Sequence, residues 1–306
     1  MDNRTIDVII PTYRPGKEFR LLLERLKQQS VPVRRVVIIN TEKKFWDSRW
    51  EQEFPFTEVH HIKKEEFDHG GTRRKAAELT DAEIMVFMTQ DALPADRDLI
   101  RNLTAPLKEP ETAAAYARQL PNASCSFVER YTRSFNYPDK SSVKSREDLP
   151  VYGIKTFFCS NVCAAYRKDV YESLGGFAEH TIFNEDMIYA SAVIQHGYRI
   201  AYAADAKVIH SHNYTCMQQF RRNFDLGVSQ AEYPEVFQTA SSESEGIRLV
   251  KKTFRYLCVN GRRRLIPGFV LQSGFKYAGY LAGKNYRRMP ARMVRWCSMN
   301  KDYWRK

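Results

Sequence analysis

An uninterrupted apolar run places the tightest constraint on what this chain can fold into. Residues 84–88 read IMVFM and lead directly into Thr89, Gln90 and Asp91, with Pro94 shortly after. A run of this length, bounded by polar residues and a proline, predicts a strand buried on both faces, as in a parallel sheet. Its carboxyl end would present Asp91 at the edge where open α/β sheets bind ligands. An aspartate in this place is also a common helix cap, so Asp91 alone does not identify a function.

Strand and helix patterns alternate through the amino-terminal part of the chain. Apolar residues at helical spacing in 17–29 separate the first two strand patterns, and a second helical pattern, 98–107, follows the fourth. This βαβαβ alternation predicts an α/β fold, with a doubly wound sheet and helices on both faces. The strands predicted here are residues 6–11, 35–40, 58–62, 84–88 and 113–117.

The pattern weakens in the middle of the chain and then returns. Residues 121–150 are rich in Ser, Asn, Asp and Lys with aromatic residues between them, which is typical of a semi-ordered loop over a site or of a helical excursion. Gly197 is placed to end a helix as a C-cap. The elements predicted after residue 150 are strands at 161–166, 198–203 and 207–212 and helices at 184–195 and 214–226.

The composition, 43% hydrophobic and 27% charged, is that of a globular protein. No stretch approaches the roughly 18 apolar residues of a membrane-spanning helix. The strand pattern begins so close to Met1 that no signal peptide is expected. The 6 cysteines show no metal-type spacing, which favours reduced thiols in a cytosolic protein.

The net charge of +12 is unevenly distributed. Residues 246–306 contain 16 Lys or Arg and one acidic residue, Asp302, so the preceding part, with 32 basic and 35 acidic residues, is slightly acidic. This asymmetry predicts a polyanionic partner for the tail, either a membrane surface or nucleic acid.

Two short polar groups carry candidate chemistry. His210 and His212 would lie on one face of the predicted strand 207–212, as metal ligands or as partly buried histidines bonded to backbone carbonyls. Glu185 and Asp186 fall at a predicted helix start, where carboxylates act as general bases or simply as caps.

The motifs VIIPTYR, FDHGGTR, TQDA, GGF, NED and VIHSH occur in this order. With them the chain resembles a family 2 inverting glycosyltransferase of the GT-A fold, which has a mixed, mostly parallel sheet. It is most similar to bacterial rhamnosyltransferases that use dTDP-rhamnose. The resemblance covers about residues 5–230, and the tail is also similar to that subgroup.

The resemblance implies a role for each polar group. Asp186 would be the general base, and Glu185 would orient the acceptor. Asp91 would bind Mg²⁺ or Mn²⁺ together with His210 or His212, with His210 matching the family position best. The family usually has Asp-x-Asp where this chain has Thr89-Gln90-Asp91, so its metal site would have one carboxylate fewer.

The resemblance also implies a nucleotide-sugar site, with dTDP-rhamnose as the expected donor. Asn40 would bond the base, Gln90 the ribose or sugar, and Arg73 a phosphate or the pyrimidine, while Gly70 and Gly71 would let the backbone approach the ligand. The other residues expected at this site are Pro11, Thr12, Tyr13, Arg14, His69 and Asp91.

Three segments are expected: a GT-A catalytic domain at 1–232, a linker at 233–246 and a basic, aromatic-rich helical extension at 247–306. The extension would bind the inner face of the plasma membrane, where a lipid-linked saccharide acceptor lies, or its aromatic residues would pack on the body or across a homodimer. No specific nucleic acid is expected. The alternatives are a UDP-hexose donor and, in another class, a non-catalytic nucleotide-sugar or nucleic-acid-binding protein.

Overall fold

A computed structural model describes residues 4–237 and 242–305. Within these residues one nine-stranded mixed sheet forms the centre, in the order β3-β2-β1-β4-β8-β6-β9-β5, and β7 pairs with β9. The strands are β1 (Ile6–Tyr13), β2 (Arg35–Thr41), β3 (Thr57–Ile62), β4 (Ile84–Met88), β5 (Leu93–Pro94), β6 (Thr112–Leu120), β7 (Ser142–Lys144), β8 (Cys163–Arg167) and β9 (Arg199–Ile209).

Helices cover both faces of this sheet, and two apolar clusters, one on each face, form the core. Alternate residues of β4 enter different clusters, which accounts for its unbroken apolar sequence. The helices are α1 (Lys17–Lys27), α2 (Arg49–Glu53), α3 (His69–Glu78), α4 (Leu99–Thr104), α5 (Phe127–Asn136), α6 (Leu149–Tyr152), α7 (Lys168–Ser173), α8 (Glu185–Gln195), α9 (Cys216–Glu232), α10 (Pro234–Phe237), α11 (Ser242–Val259), α12 (Ile266–Lys284) and α13 (Ala291–Cys297).

The predicted α/β sheet is confirmed, and its topology positions the site. β1, β2, β3 and β4 are parallel, and β8 runs antiparallel between β4 and β6. Residue Cys163 at the start of β8 therefore pairs with Met88 at the end of β4. The short β5 turns back from β4 and pairs with the end of β9, Leu93 opposite Ile209.

Several predicted elements differ from the structure. The two strands expected at 198–203 and 207–212 are one strand, β9, which ends at Ile209, so His210 and His212 follow the strand instead of sharing a strand face. Residues 121–150 contain α5 and β7, which matches the helical alternative. In the expected linker, α10 is helical with buried Val236 and Phe237, while residues 238–241 lie outside the described residues.

The carboxy-terminal helices pack directly on the part of the chain that forms the sheet, through the contact of α12 with α9. Glycines make this crossing close: a Cβ on Gly279 would lie 2.1 Å from the Phe220 carbonyl oxygen, and one on Gly283 would lie 2.1 Å from that of Phe224. Beyond α13, Asp225 accepts hydrogen bonds from the backbone N–H groups of Met299 (2.9 Å) and Asn300 (3.2 Å). The extension is therefore part of one packed body with α9.

Replacing Gly279 with alanine is expected to destabilise the whole protein by about 2 kcal/mol, because the added methyl group meets backbone that cannot rotate away. Gly274→Ala on the same helix is the matched control: nothing lies within 4 Å of its added Cβ, so the better helix propensity of alanine should stabilise it slightly. Thermal denaturation of the full chain measures both. Equal midpoints for the two variants would contradict the close packing of α12 on α9.

Candidate active site

A cleft of ≈1780 Å³ opens at the carboxyl ends of β1 and β4. Pockets for one small ligand usually measure about 300–1,000 Å³, so this cleft has room for two substrates. It is lined by most of the predicted site residues, namely Pro11, Thr12, Tyr13, His69, Arg73, Gln90, Asp91, Glu185, Asp186, His210 and His212. Arg14, Asn40, Gly70 and Gly71 are outside this lining.

Asp91, His210 and His212 come together at one end of the cleft, with ligand atoms within 4.8 Å of one another. The pairing of β5 with β9 causes this, because it brings the residues after β4 to the end of β9. Asp91 Oδ2 lies 3.2 Å from His212 Nε2, Asp91 Oδ1 lies 3.6 Å from His210 Nε2, and the two Nε2 atoms are 3.0 Å apart.

These distances suit a divalent cation. With metal–ligand bonds of about 2.1 Å, neighbouring ligand atoms of an octahedral ion lie about 3.0 Å apart. Imidazole nitrogens with a carboxylate are donors that Mn²⁺ and related ions accept, and the missing first carboxylate of the family motif is offset by a second histidine. The three side chains therefore fit a bound divalent ion.

The neighbours of His210 determine which of its two ring nitrogens carries the proton. Arg133 can only donate, so the Gln119 atom that it contacts is Oε1, and His210 Nδ1 must donate its proton to that oxygen at 3.0 Å. His210 Nε2 then presents a lone pair to the cluster. Burial lowers the pKa of His210 to about 3. Burial also works to raise the pKa of Asp91, but the hydrogen bond with His212 and the adjacent His210 hold it below its usual range.

Glu185 and Asp186 form the first turn of α8 at another wall of the cleft. Asp186 accepts hydrogen bonds from the backbone N–H groups of Asn161 (3.1 Å) and Met187 (2.8 Å). Glu185 Oε1 accepts from Asn161 Nδ2 at 3.1 Å and lies 3.2 Å from Arg73 Nη1. Burial and the neighbouring Glu185 raise the pKa of Asp186 well above the usual carboxyl range. A carboxylate with such a pKa can accept a proton near neutral pH.

Two positioning residues, Asn161 and Gln119, were not predicted from the sequence. Asn161 precedes β8 and bonds both acidic residues, while its own Oδ1 accepts from Tyr166 at 2.8 Å. Gln119 lies near the end of β6 and orients His210. In the sequence these two residues are marked only by their positions at strand ends. Those positions indicate a place at the cleft only when the order of the strands in the sheet is known.

The nucleotide end of the cleft differs in detail from the expectation. Gln90 bonds the backbone of Tyr13 twice, accepting from its N–H at 2.9 Å and donating to its carbonyl at 3.1 Å, so its amide joins β4 to β1. Asn40 is fully buried and bonds Thr12, His61 and the Glu42 carbonyl. The amide of Asn40 thus joins the strand ends, and its contact with a base stays a prediction.

Three further residues of the predicted site lie on α3. A Cβ on Gly70 would lie 2.2 Å from the Ala178 carbonyl oxygen, and one on Gly71 would lie 2.3 Å from that of Glu179, so both glycines allow a close approach of the chain's own backbone. Arg73 is mostly buried, with Nη1 3.2 Å from Glu185 Oε1, and it also lines the cleft, so its contact with a phosphate or the pyrimidine stays a prediction.

Two predicted residues lie at the rim of the nucleotide end. His69 packs edge-to-face on Phe183 inside the cleft. Arg14 stacks over Phe45, 4.4 Å from its ring centroid, beyond the cleft lining. Pro11, Thr12 and Tyr13, at the end of β1, line the cleft, and their contact with a nucleotide stays a prediction.

A mixed sheet, three side chains that fit a divalent ion and an acidic helix start around one cleft are together typical of a GT-A glycosyltransferase. Residues 7–175 match the family described as Glycosyl transferase family 2. The chain is 40% identical to the O-antigen chain rhamnosyltransferase RfbN of Salmonella typhimurium, across 98% of this chain and 96% of the relative. It is 37% identical to the O-antigen chain rhamnosyltransferase WbaN of Salmonella anatum, across 97% and 95%. The chain belongs to glycosyltransferase family 2 and is an enzyme of that class.

Solved structures agree on the fold. A mannosyltransferase from Pyrobaculum calidifontis, PcManGT, in complex with GDP-Man and Mn²⁺, superposes with a TM-score of 0.57 at 17% identity. The match covers 98% of this chain and 85% of that one. It includes the helical carboxy-terminal region as well as the sheet.

Proposed function

We propose that this enzyme transfers L-rhamnose from dTDP-β-L-rhamnose, with inversion, to a hydroxyl group of a lipid-linked precursor of a cell-surface polysaccharide of the O-antigen type. The names of the two curated relatives support the sugar and the polysaccharide class. The observation that carries the chemistry is that Asp91 and Asp186 line one cleft. This shared cleft supports the proposal that a base and a leaving-group site act on the same reacting carbon.

The reaction is a single displacement. Asp186 accepts the proton of the acceptor hydroxyl, whose oxygen forms a bond to the anomeric carbon as the bond to the nucleoside diphosphate breaks. Asn161 holds the Asp186 carboxylate toward the cleft, and Glu185, fixed by Arg73, orients the acceptor. Asp91, His210 and His212 would hold Mg²⁺ or Mn²⁺, which stabilises the negative charge that develops on the departing diphosphate.

Donor screening tests this proposal. Purified enzyme with Mg²⁺ or Mn²⁺ is offered dTDP-rhamnose, UDP-glucose and UDP-galactose in turn with a lipid-linked saccharide acceptor, and released nucleoside diphosphate is measured. Release with dTDP-rhamnose alone is the expected result. Turnover with a UDP-hexose and none with dTDP-rhamnose would instead establish the alternative donor.

The extension carries both apolar and basic surface. No helix in the described ranges is long and apolar enough to span a bilayer. On α12, Val270, Tyr277 and Leu281 form an exposed stripe at helical spacing, while Phe269 and Tyr280 are buried against the body. Some aromatic residues of the extension are therefore buried against the rest of the protein, and others are exposed. We propose that the exposed stripe and the surrounding basic residues rest on the inner face of the plasma membrane, in preference to a homodimer contact.

Replacing Val270 and Leu281 together with serine is expected to reduce binding to vesicles containing anionic lipid by about tenfold, because apolar side chains leave the headgroup region. Val143→Ser with Val151→Ser is the matched control, since both valines are exposed outside the extension. Vesicle flotation measures binding, and light scattering measures mass. Unchanged flotation with a change from dimer to monomer would show that the stripe is a subunit contact.

A further inference from the structure

Two positively charged side chains from different helices face the active-site cleft. Arg222 of α9 and Lys276 of α12 line the same cavity as Asp91 and Asp186, and both are partly buried. Among the residues that the structure describes, no carboxylate oxygen lies within 4.0 Å of either cation. Charged groups held in a cleft without a counter-ion are costly, which indicates that an anion binds there.

Arg222 is directed at the catalytic end of the cleft. Its guanidinium carbon lies 4.6 Å from the centroid of the Phe183 ring, a cation–π contact that fixes the side chain. Phe183 immediately precedes the turn that carries Glu185 and Asp186. The guanidinium is therefore held beside the proposed base helix.

Lys276 is fixed by the packing of the extension. It lies one helical turn before Gly279 and Tyr280, where α12 contacts α9 most closely. Tyr280 also donates a hydrogen bond to Gln230 of α9 at 3.1 Å. The close packing of α12 on α9 thus holds the ammonium group of Lys276 in the cleft.

The nearby acidic groups are engaged elsewhere. Glu129 pairs with Arg133 at 2.8 Å, and Asp225 accepts from the backbone of Met299 and Asn300. Burial raises the pKa of Asp225 to about 7. Burial lowers the pKa of Lys276, Glu129 opposes that change, and Arg222 adds to it. These acidic groups therefore form no ion pair with Arg222 or Lys276 in the part of the chain that the structure describes.

We propose that Arg222 and Lys276 form a diphosphate-binding site, through which the carboxy-terminal extension completes the active site. The planar guanidinium can bond two phosphate oxygens, and the ammonium group adds a point charge. This inference rests on the proposed function, in which the nucleotide donor carries a diphosphate. A diphosphate between the acceptor saccharide and its lipid would be a second source of the same group.

Lys276→Gln and Arg222→Gln test the site in the full-length enzyme. Each is expected to weaken the binding of inorganic pyrophosphate about tenfold in the presence of Mg²⁺, the loss expected for one charge-assisted hydrogen bond. Arg255→Gln is the matched control, because it removes one exposed charge of the same extension outside the cleft. Titration calorimetry measures all three. Lys276→Arg keeps the charge and should restore binding, which separates this effect from misfolding.

The source of the diphosphate follows from two further measurements. A donor site predicts weaker dTDP binding and a raised donor KM, while an acceptor site predicts unchanged dTDP binding and a raised acceptor KM. Pyrophosphate lacks base and sugar, so its binding reports on the cation pair even if the donor is not dTDP-rhamnose. Pyrophosphate affinity and both KM values within twofold of the Arg255→Gln control would overturn the proposal.

Discussion

Asp186→Asn is expected to lower kcat by roughly 10²–10⁴-fold, the usual contribution of a general base, while nucleoside diphosphate binding stays unchanged. Asparagine keeps the size of the side chain and one acceptor oxygen for Asn161 or Met187, but it cannot take a proton from the acceptor hydroxyl. Single-turnover transfer measures the first effect, and calorimetric titration with nucleoside diphosphate measures the second.

The pH profile supplies an independent readout for the same residue. Burial and Glu185 raise the pKa of Asp186, and the reaction needs the deprotonated form. Activity should therefore be full above the raised pKa and be lost as the pH falls through it, at a higher pH than an ordinary carboxyl group would give. This acidic limb should vanish from the residual activity of Asp186→Asn.

Glu185→Gln serves as the comparison, since it removes a neighbouring carboxylate that we assign to acceptor orientation. It is expected to raise the acceptor KM more than it lowers kcat, and to shift the acidic limb to lower pH by removing the adjacent negative charge. If Asp186→Asn kept full turnover while Glu185→Gln abolished it, the two roles would have been assigned to the wrong residues.

Asp91→Ala is expected to abolish metal-dependent binding of the donor and to lower turnover by roughly a hundredfold or more. The variant removes the carboxylate of the cluster and leaves two imidazoles, which without that negative charge hold a hard divalent ion poorly. Titration of nucleoside diphosphate with and without Mn²⁺ measures the loss, and electron paramagnetic resonance counts bound Mn²⁺ directly.

Asp96→Ala provides the matched control for this experiment. Asp96 is an exposed aspartate shortly after the cluster, and it accepts a hydrogen bond from the Asp98 backbone at 2.9 Å. Its variant should keep both metal response and turnover. Unchanged turnover and metal response in Asp91→Ala would remove Asp91 from the proposed metal site.

The sequence predicts the sheet well because a strand that is buried on both faces consists of consecutive apolar residues, as in β4. It predicts β9 poorly, because a register shift near Ala117 and Arg118 and the exposed Asp205 resemble a break between two strands. The same error placed His210 on a strand face. The resemblance nonetheless predicted His210 and Asp91 as metal ligands, because a sequence motif identifies a residue even when its secondary structure is predicted incorrectly.

The sequence does not show which residues contact each other when they lie far apart along the chain. The contact between Arg73 and Glu185, and the approach of Gly70 to Ala178, join α3 to segments about a hundred residues away. The sequence does not distinguish a buried arginine from an exposed one, so it does not show that Arg73 lies beside Glu185. Only packing shows that its charge is already matched.

The glycine crossing between α9 and α12 has a consequence for exchanging parts among relatives. A hybrid joined within residues 233–246 would set a foreign α12 against the resident α9, and any mismatch at Gly227, Gly279 or Gly283 would force the two backbones apart. Grafts should therefore carry α9 through α13 as a single cassette. Acceptor preference, if it resides in this half of the cleft, would then be inherited with the cassette.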